Sequence, residues 1–293
     1  MTILRYFILM AILFTVNLSA ISYKITEFGP PNPSYYSSYH VYFYSADYIN
    51  ESGQVVGRCS LGSKNYIYLW LPSNEFGYQI DNRSILNSPY INNRGEISTF
   101  AINDAGDKYS ISDSKLTKNG TIIESSLKWD SRYRLKVNNC GMIAGVAQIS
   151  NRNCGVIFNE KNRSITNICT NTKYFLAPSD INDLGMVIGG FYNGQEMGFL
   201  WTPSFGIQYL EGFTPKAINN HGIIVGSRLP ESAVMWKKGD LIDLSKEFKV
   251  DTDFSIDIVR LTTVNDINDQ NQMCGEGKTQ NNAVRYVAIF PIH

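Results

Sequence analysis

Six times this chain repeats one short phrase: a β-branched residue, Asn, two variable residues, Gly, one more variable residue and then an apolar position. The Asn–Gly pairs are Asn50 with Gly53, Asn92 with Gly95, Asn138 with Gly141, Asn182 with Gly185, and Asn219 with Gly222; in the last copy Asn268 is followed by Asn271. A type I turn favours Asn at its first position and a residue tolerant of positive φ at its end, so each phrase is predicted to be a tight hairpin turn with a following bulge. Asn271 fits because Asn accepts the left-handed conformation better than any residue except Gly. Five residues after each Asn stands Val55, Ile97, Ile143, Val187, Ile224 or Met273, which marks one core position per copy. Two positions further comes a second Gly in five copies (Gly57, Gly145, Gly189, Gly226, Gly275). A recurrent Gly inside a strand points to a bulge or to close approach of another backbone.

The phrase opens a longer unit. Downstream lie apolar, often aromatic-ending runs such as Tyr68-Leu69-Trp70, Val156-Ile157-Phe158, Phe199-Leu200-Trp201 and Val234-Met235-Trp236, and several units add a fourth run, such as Leu241-Ile242-Asp243-Leu244. These are short, rich in Val, Ile and aromatics, and cut by turn residues, which is the pattern of strands and not of helices. Successive Asn positions differ by 42, 46, 44, 37 and 49 residues, close to the period of about 40–50 residues of four-stranded propeller blades. The expectation is an all-β propeller of six four-stranded blades, with Trp70, Trp201 and Trp236 in the core between blades. The last unit lacks a fourth strand, and Tyr23–Phe28 is free to supply it and close the ring, removing open sheet edges. Seven blades is the alternative, because Ile102-Asn103-Asp104-Ala105-Gly106 resembles another copy; Lys108 at its core position favours a second hairpin inside blade two.

The unit, I-N-x-x-G-x-V-V-G followed by an F-L-W-like strand, resembles the HAF repeats of predicted extracellular bacterial proteins. The likeness covers nearly all of the chain after its first 20 residues, is specific at the turns of five units, and is poor in unit two, where 118–127 lacks the aromatic ending. The resemblance implies export and a repetitive β fold. It implies no reaction and no catalytic residues.

Residues 1–20 hold Arg5, an apolar run from Tyr6 to Val16, and Asn17-Leu18-Ser19-Ala20, the pattern of a cleavable secretory signal. That leaves 21–293 as a single propeller domain, secreted to the extracellular space or periplasm. The apolar run is shorter than the roughly 20 residues of a membrane span, so no stable membrane insertion is expected after cleavage. Lys plus Arg and Asp plus Glu each number 26, leaving no global field for nucleic acid. Of five cysteines, Cys59 and Cys274 are read as buried thiols, whereas Cys140, Cys154 and Cys169 share one unit in which two neighbouring strands could be bridged. No C-x-x-C motif occurs and His40, His221 and His293 are far apart, so no metal or cofactor is expected.

Catalytic signatures are absent. There is no G-x-S-x-G, His221 occupies a variable turn place, and Asp104, Asp183 and Asp269 follow turn asparagines, where the turn itself explains them. Pro30–Tyr48 is the least ordinary segment: Val41–Tyr48 reads as a strand, while Tyr35, Tyr36 and Tyr39 fall on a connecting loop where exposed rings can stack on a sugar or grip a protein. The leading expectation is a secreted, non-enzymatic binding module for a glycan or protein partner. The rivals are a glycan hydrolase or lyase with acids gathered at the central channel, and a surface or assembly component.

Overall fold

The computed structural model describes residues 22–27, 41–61, 64–72, 78–81, 88–169, 174–247 and 258–292. The residues before 22 and the loop bearing Tyr35, Tyr36 and Tyr39 lie outside them. The fold is an all-β propeller; the one α-helix among the described residues is the single turn Leu244–Glu247. The first sheet is Val41–Ile49, Val55–Leu61, Lys64–Trp70 and Tyr78–Asp81. The second sheet is Ala101–Ile102, Lys108–Ser112, Lys115–Lys118 and Thr121–Glu124. The third gathers Lys128–Trp129, Lys136–Val137, Met142–Ile149, Arg152–Asn159 and Ser164–Asn167. The fourth is Ala177–Ile181, Val187–Tyr192, Glu196–Thr202 and Gly206–Leu210, and the fifth Thr214–Ile218, Ile224–Arg228, Ser232–Lys237 and Asp240–Asp243. In the sixth, Ile258–Ile267, Met273–Thr279 and Val284–Ile292 are joined by Ser22–Glu27, which pairs antiparallel with Val284–Ile292 from Ser22↔Ile292 to Glu27↔Val287.

A seventh member stands between the first and second sheets. The hairpin Tyr90–Ile91 and Ile97–Ser98, built on the Asn92 turn, forms a two-stranded sheet of its own. The Asn103 turn, read from the sequence as a subsidiary hairpin, joins the first two strands of the four-stranded second sheet. Lys108 is exposed, and the adjacent Tyr109 and Leu116 supply the buried packing instead. The inner strands touch one another in one closed cycle that includes the Asn92 hairpin.

Sheets pack face to face through alternating strand residues. Tyr68, Trp70, Trp129, Phe158 and Phe199 are almost fully buried, each such side chain adding roughly 1.5–3 kcal/mol by removal from water. Trp201 and Trp236 are half-buried at cluster margins. Four of the five strand glycines have a shared cause; a methyl on the fifth, Gly145, would meet the Leu135 and Trp129 side chains instead. Register shifts place a bulge at Asp47, Ser179, Lys216 and Asn265 in the inner strands of four sheets. There the inner strand's carbonyl turns onto the facing Gly of the second strand: a methyl on Gly57, Gly189, Gly226 or Gly275 would collide with the carbonyl oxygen of Ser45, Ala177, Thr214 or Thr263.

Candidate functional site

The Asn turns converge at one end of the central channel, and each is built the same way. The Asn50 N–H donates to the Gln54 carbonyl (3.1 Å) and Gly53 N–H to the Asn50 carbonyl (2.9 Å), while Asn50 Oδ1 accepts from the amides of Ser52 and Gln54. The Gly at the fourth place has φ between 72° and 78° in the five copies that carry it, and Asn271 has φ 60°. Asn103 makes the same backbone bonds, with Gly106 at φ 83°, so among the described residues seven such turns surround the channel. In six of the seven the carboxamide's other arm reaches outward to the next turn, whereas Asn103 Nδ2 donates to Asp107 Oδ2 (3.4 Å). Asn50 Nδ2 donates to the Asn92 carbonyl, Asn92 to Asn103, Asn138 to Asn182, Asn182 to Asn219, Asn219 to Asn268, and Asn268 back to Asn50, at 2.8–3.1 Å.

A second ring runs inside the first. The residue after each Asn gives its backbone N–H to the side-chain oxygen of its counterpart in the next turn: Glu51 to Asn93, Asn93 to Asp104, Asp104 to Asn139, Asn139 to Asp183, Asp183 to Asn220, Asn220 to Asp269, and Asp269 to Glu51, at 2.7–3.0 Å. The circuit is complete. These residues line a shallow mouth of about 310 Å³, floored by Val137, Ile181, Ile218 and Ile267. Sequence reading treated that position as variable, whereas it requires an acceptor and holds only Asp, Asn or Glu. Asp104, Asp183 and Asp269 are therefore braces between turns. Each hydrogen-bonds a neighbouring turn, and His221 is an exposed turn residue beside them.

Below the mouth the channel wall carries cross-links of another kind. Asp180 Oδ2 accepts from Ile218 N (3.0 Å) and Asp266 Oδ2 from Ile49 N (2.8 Å), each tying one inner strand to the next. Burial, and then the neighbouring Asp180, push the Asp266 carboxyl up to about 8, and burial raises Asp180 despite Lys136, whose Nζ stands 4.0 Å away. Lys136 also donates to Tyr48 (2.6 Å), and Tyr48 stacks on Tyr90 at 4.8 Å with the Arg134 guanidinium 4.2 Å over the Tyr90 ring. Burial lifts both phenols above their ordinary range.

The opposite end is different. Between the fifth and sixth sheets opens a cavity of about 350 Å³, walled by Lys216, Thr262, Thr263, Glu276 and Lys278 and lipped by the hairpin tip Arg228–Glu231. Lys216, a bulge residue, donates to Asn265 Oδ1 (2.8 Å), and burial holds its ammonium below the usual lysine range. Burial likewise raises Glu276, offset in part by Lys216. Thr263 is buried, and its hydroxyl has no hydrogen-bond partner. At the rim Glu231 bridges Lys278 (2.6 Å) and Arg260 (2.9 Å), and Leu229 is 75% exposed. At the same end of the fourth sheet Tyr174, Phe191 and Tyr209 form an aromatic row with 5.1 Å between successive rings, and Tyr192 is 71% exposed on the hairpin tip. Sequence reasoning missed this cavity because its walls come from separate units and share no motif. The bulge, legible through the strand Gly, was the one available signal.

Among the described residues no cluster of His, Cys, Asp and Glu is arranged to hold a metal ion, and no helix is long and apolar enough to cross a membrane. No protein-family model matches the chain, and no curated protein does. Among solved structures it is similar to an oligogalacturonate lyase from Vibrio parahaemolyticus, at 9% identity over 92% of this chain and 93% of that one, with a TM-score of 0.44. It is also similar to an AofleA mutant from Arthrobotrys oligospora (12% identity, 86% of each chain, TM-score 0.41). A third likeness is to TolB from Acinetobacter baumannii (9% identity, 87% of this chain, TM-score 0.31), of which 55% of the length is spanned.

Proposed function

We propose that this chain is an exported, non-enzymatic propeller that binds a glycan at the end opposite the asparagine turns, with a sugar unit seated in the cavity between the fifth and sixth sheets. The observation that carries this reading is the pair Lys216 and Glu276, two charges held in a cavity wall where burial disfavours both. Groups kept against the interest of the fold mark sites of use. The volume falls within the range of about 300–1,000 Å³ typical of small-ligand pockets. Its lining mixes donors, acceptors and hydroxyls of both charge signs, which suits a neutral polyhydroxylated ligand better than a polyanion, and Leu229 and Pro230 offer an apolar lip. Export rests on the leader pattern of residues 1–20 and the HAF-like units.

One observation favours a second reading. A lysine below its usual range beside a carboxyl above it is the acid–base pair of a glycan lyase or hydrolase. A glycan array followed by calorimetric titration separates the two. Binding without turnover, weakened about tenfold or more by both Lys216→Met and Glu276→Gln, about 1.4 kcal/mol or more each, supports the binding module. Release of cleaved sugar, abolished by either variant, replaces it with the enzyme. Capture of a protein and of no glycan moves the partner class.

A further inference from the structure

We propose that Cys154 and Cys169 form a disulfide across the outer two strands of the third sheet. The ladder between Arg152–Asn159 and Ser164–Asn167 pairs Asn159 with Ser164, Phe158 with Ile165, Ile157 with Thr166 and Val156 with Asn167. Two steps beyond Val156 and Asn167 the same register sets Cys154 opposite Cys169. The pairing continues that far: Ile168 N donates to the Gly155 carbonyl (3.1 Å), and Gly155 N reaches Cys169 Sγ (3.3 Å). Facing residues of an antiparallel ladder have Cα atoms about 4.5–5.5 Å apart, within the roughly 4.4–6.8 Å that a disulfide spans.

The remaining cysteines are placed elsewhere. Cys140 lies in the Asn138 turn, at the end of the sheet where Met142 pairs with Asn159, whereas Cys154 lies near the other end, where Ile149 pairs with Arg152. Cys59 and Cys274 belong to the cluster between the first and sixth sheets, where Cys274 Sγ points at the Ala46 carbonyl (3.8 Å). The structure thus selects one pair from the three cysteines that share the unit.

Both cysteines are buried, at 6% and 5% exposure, so the bond closes during folding, before the sheets pack. One thiolate attacks an external disulfide, giving a mixed disulfide and releasing one thiol. The partner cysteine then attacks the protein sulfur of that mixed disulfide and releases the second thiol. Two cysteine S–H bonds become one S–S bond, and the external disulfide ends as two thiols. The bridge would fix the point from which the chain leaves the third sheet for Tyr174 and Phe175, the first of which packs against Phe191 with its ring tilted.

The test is refolding of the full chain in oxidised and reduced glutathione, followed by denaturation without reductant, alkylation with N-ethylmaleimide and intact-mass analysis. Of the five cysteines, Cys59, Cys140 and Cys274 are expected to be alkylated, and an unreduced digest is expected to join the Cys154 and Cys169 peptides. Cys154→Ser and Cys169→Ser should each gain one alkylation and lower the Tm by about 5 °C, and dithiothreitol should bring the unaltered chain down to the same value. Five alkylated cysteines, a stable glutathione adduct on either residue, a linkage to any other cysteine, or a Tm indifferent to dithiothreitol would each overturn the assignment.

Discussion

The two ends of the propeller handle polar groups in opposite ways. At the turn end every Asn carboxamide satisfies its own turn, and six of the seven also bond the next one, while the Asp, Asn and Glu side chains beside them form a closed circuit with backbone amides. At the far end Lys216 and Glu276 carry disfavoured charge, and Thr263 is buried with no partner for its hydroxyl. Acidic residues are gathered at the first end, where each is engaged by a neighbouring turn, whereas the second end holds a buried hydroxyl with no partner. A cluster of carboxylates is thus a poor guide to function until its hydrogen bonds are traced.

The contrast can be broken first at the ring. Asn219→Asp keeps the local acceptor but replaces the donor to the Asn268 carbonyl and Asn271 Oδ1 with a carboxylate facing them. A loss of about 3–5 kcal/mol is expected in urea unfolding, because a buried carbonyl loses its donor and a charge takes its place. Gly226→Ala drives a methyl into the Thr214 carbonyl. It should cost about 2–4 kcal/mol, and a tolerated alanine would show that the bulge does not dictate this Gly.

The channel wall should respond with the opposite sign. The Asp266 carboxyl, raised by burial to about 8 beside Asp180 and Lys136, binds a proton in the folded state that the unfolded chain releases near its ordinary value of 3.8. Stability contributed by this group is therefore fully present at low pH and declines as pH rises toward 8. Asp266→Asn should leave stability near pH 4 unchanged and raise it at pH 9 by on the order of a few kcal/mol; parallel pH profiles for variant and parent would contradict the assignment. The smallest effect is expected at the cavity. Glu276→Gln should stabilise by about 1 kcal/mol at pH 8 and by nothing at pH 4. Destabilisation there would make Glu276 another brace and erase the difference between the two ends.

Much of the fold was legible because its determinants are local. The Asn and Gly of each phrase report a turn, and the strand Gly reports a backbone approach that coordinates locate at bulges. The second ring was hidden for a specific reason. Asp, Asn and Glu look interchangeable in a loop, and their common role as acceptors emerges only when neighbouring turns, 11 to 49 residues apart in most links, stand side by side. Asn103 was underweighted because Lys108 broke an apolar rule, although the turn itself was intact. The far cavity left no trace beyond the strand Gly that marks the Lys216 bulge, since Lys216 and Glu276 lie on different sheets, and Tyr35, Tyr36 and Tyr39 fall outside the described residues.

Among the described residues the Asn92 hairpin forms a two-stranded sheet, yet it holds a place in both circuits. What the ring enumerates is bends, not blades. A module can therefore shed its outer strands by mutation while the circle stays shut, whereas deleting one bend would leave its two neighbours with no one to bond. Variation in such chains should accumulate at the periphery and spare the hub.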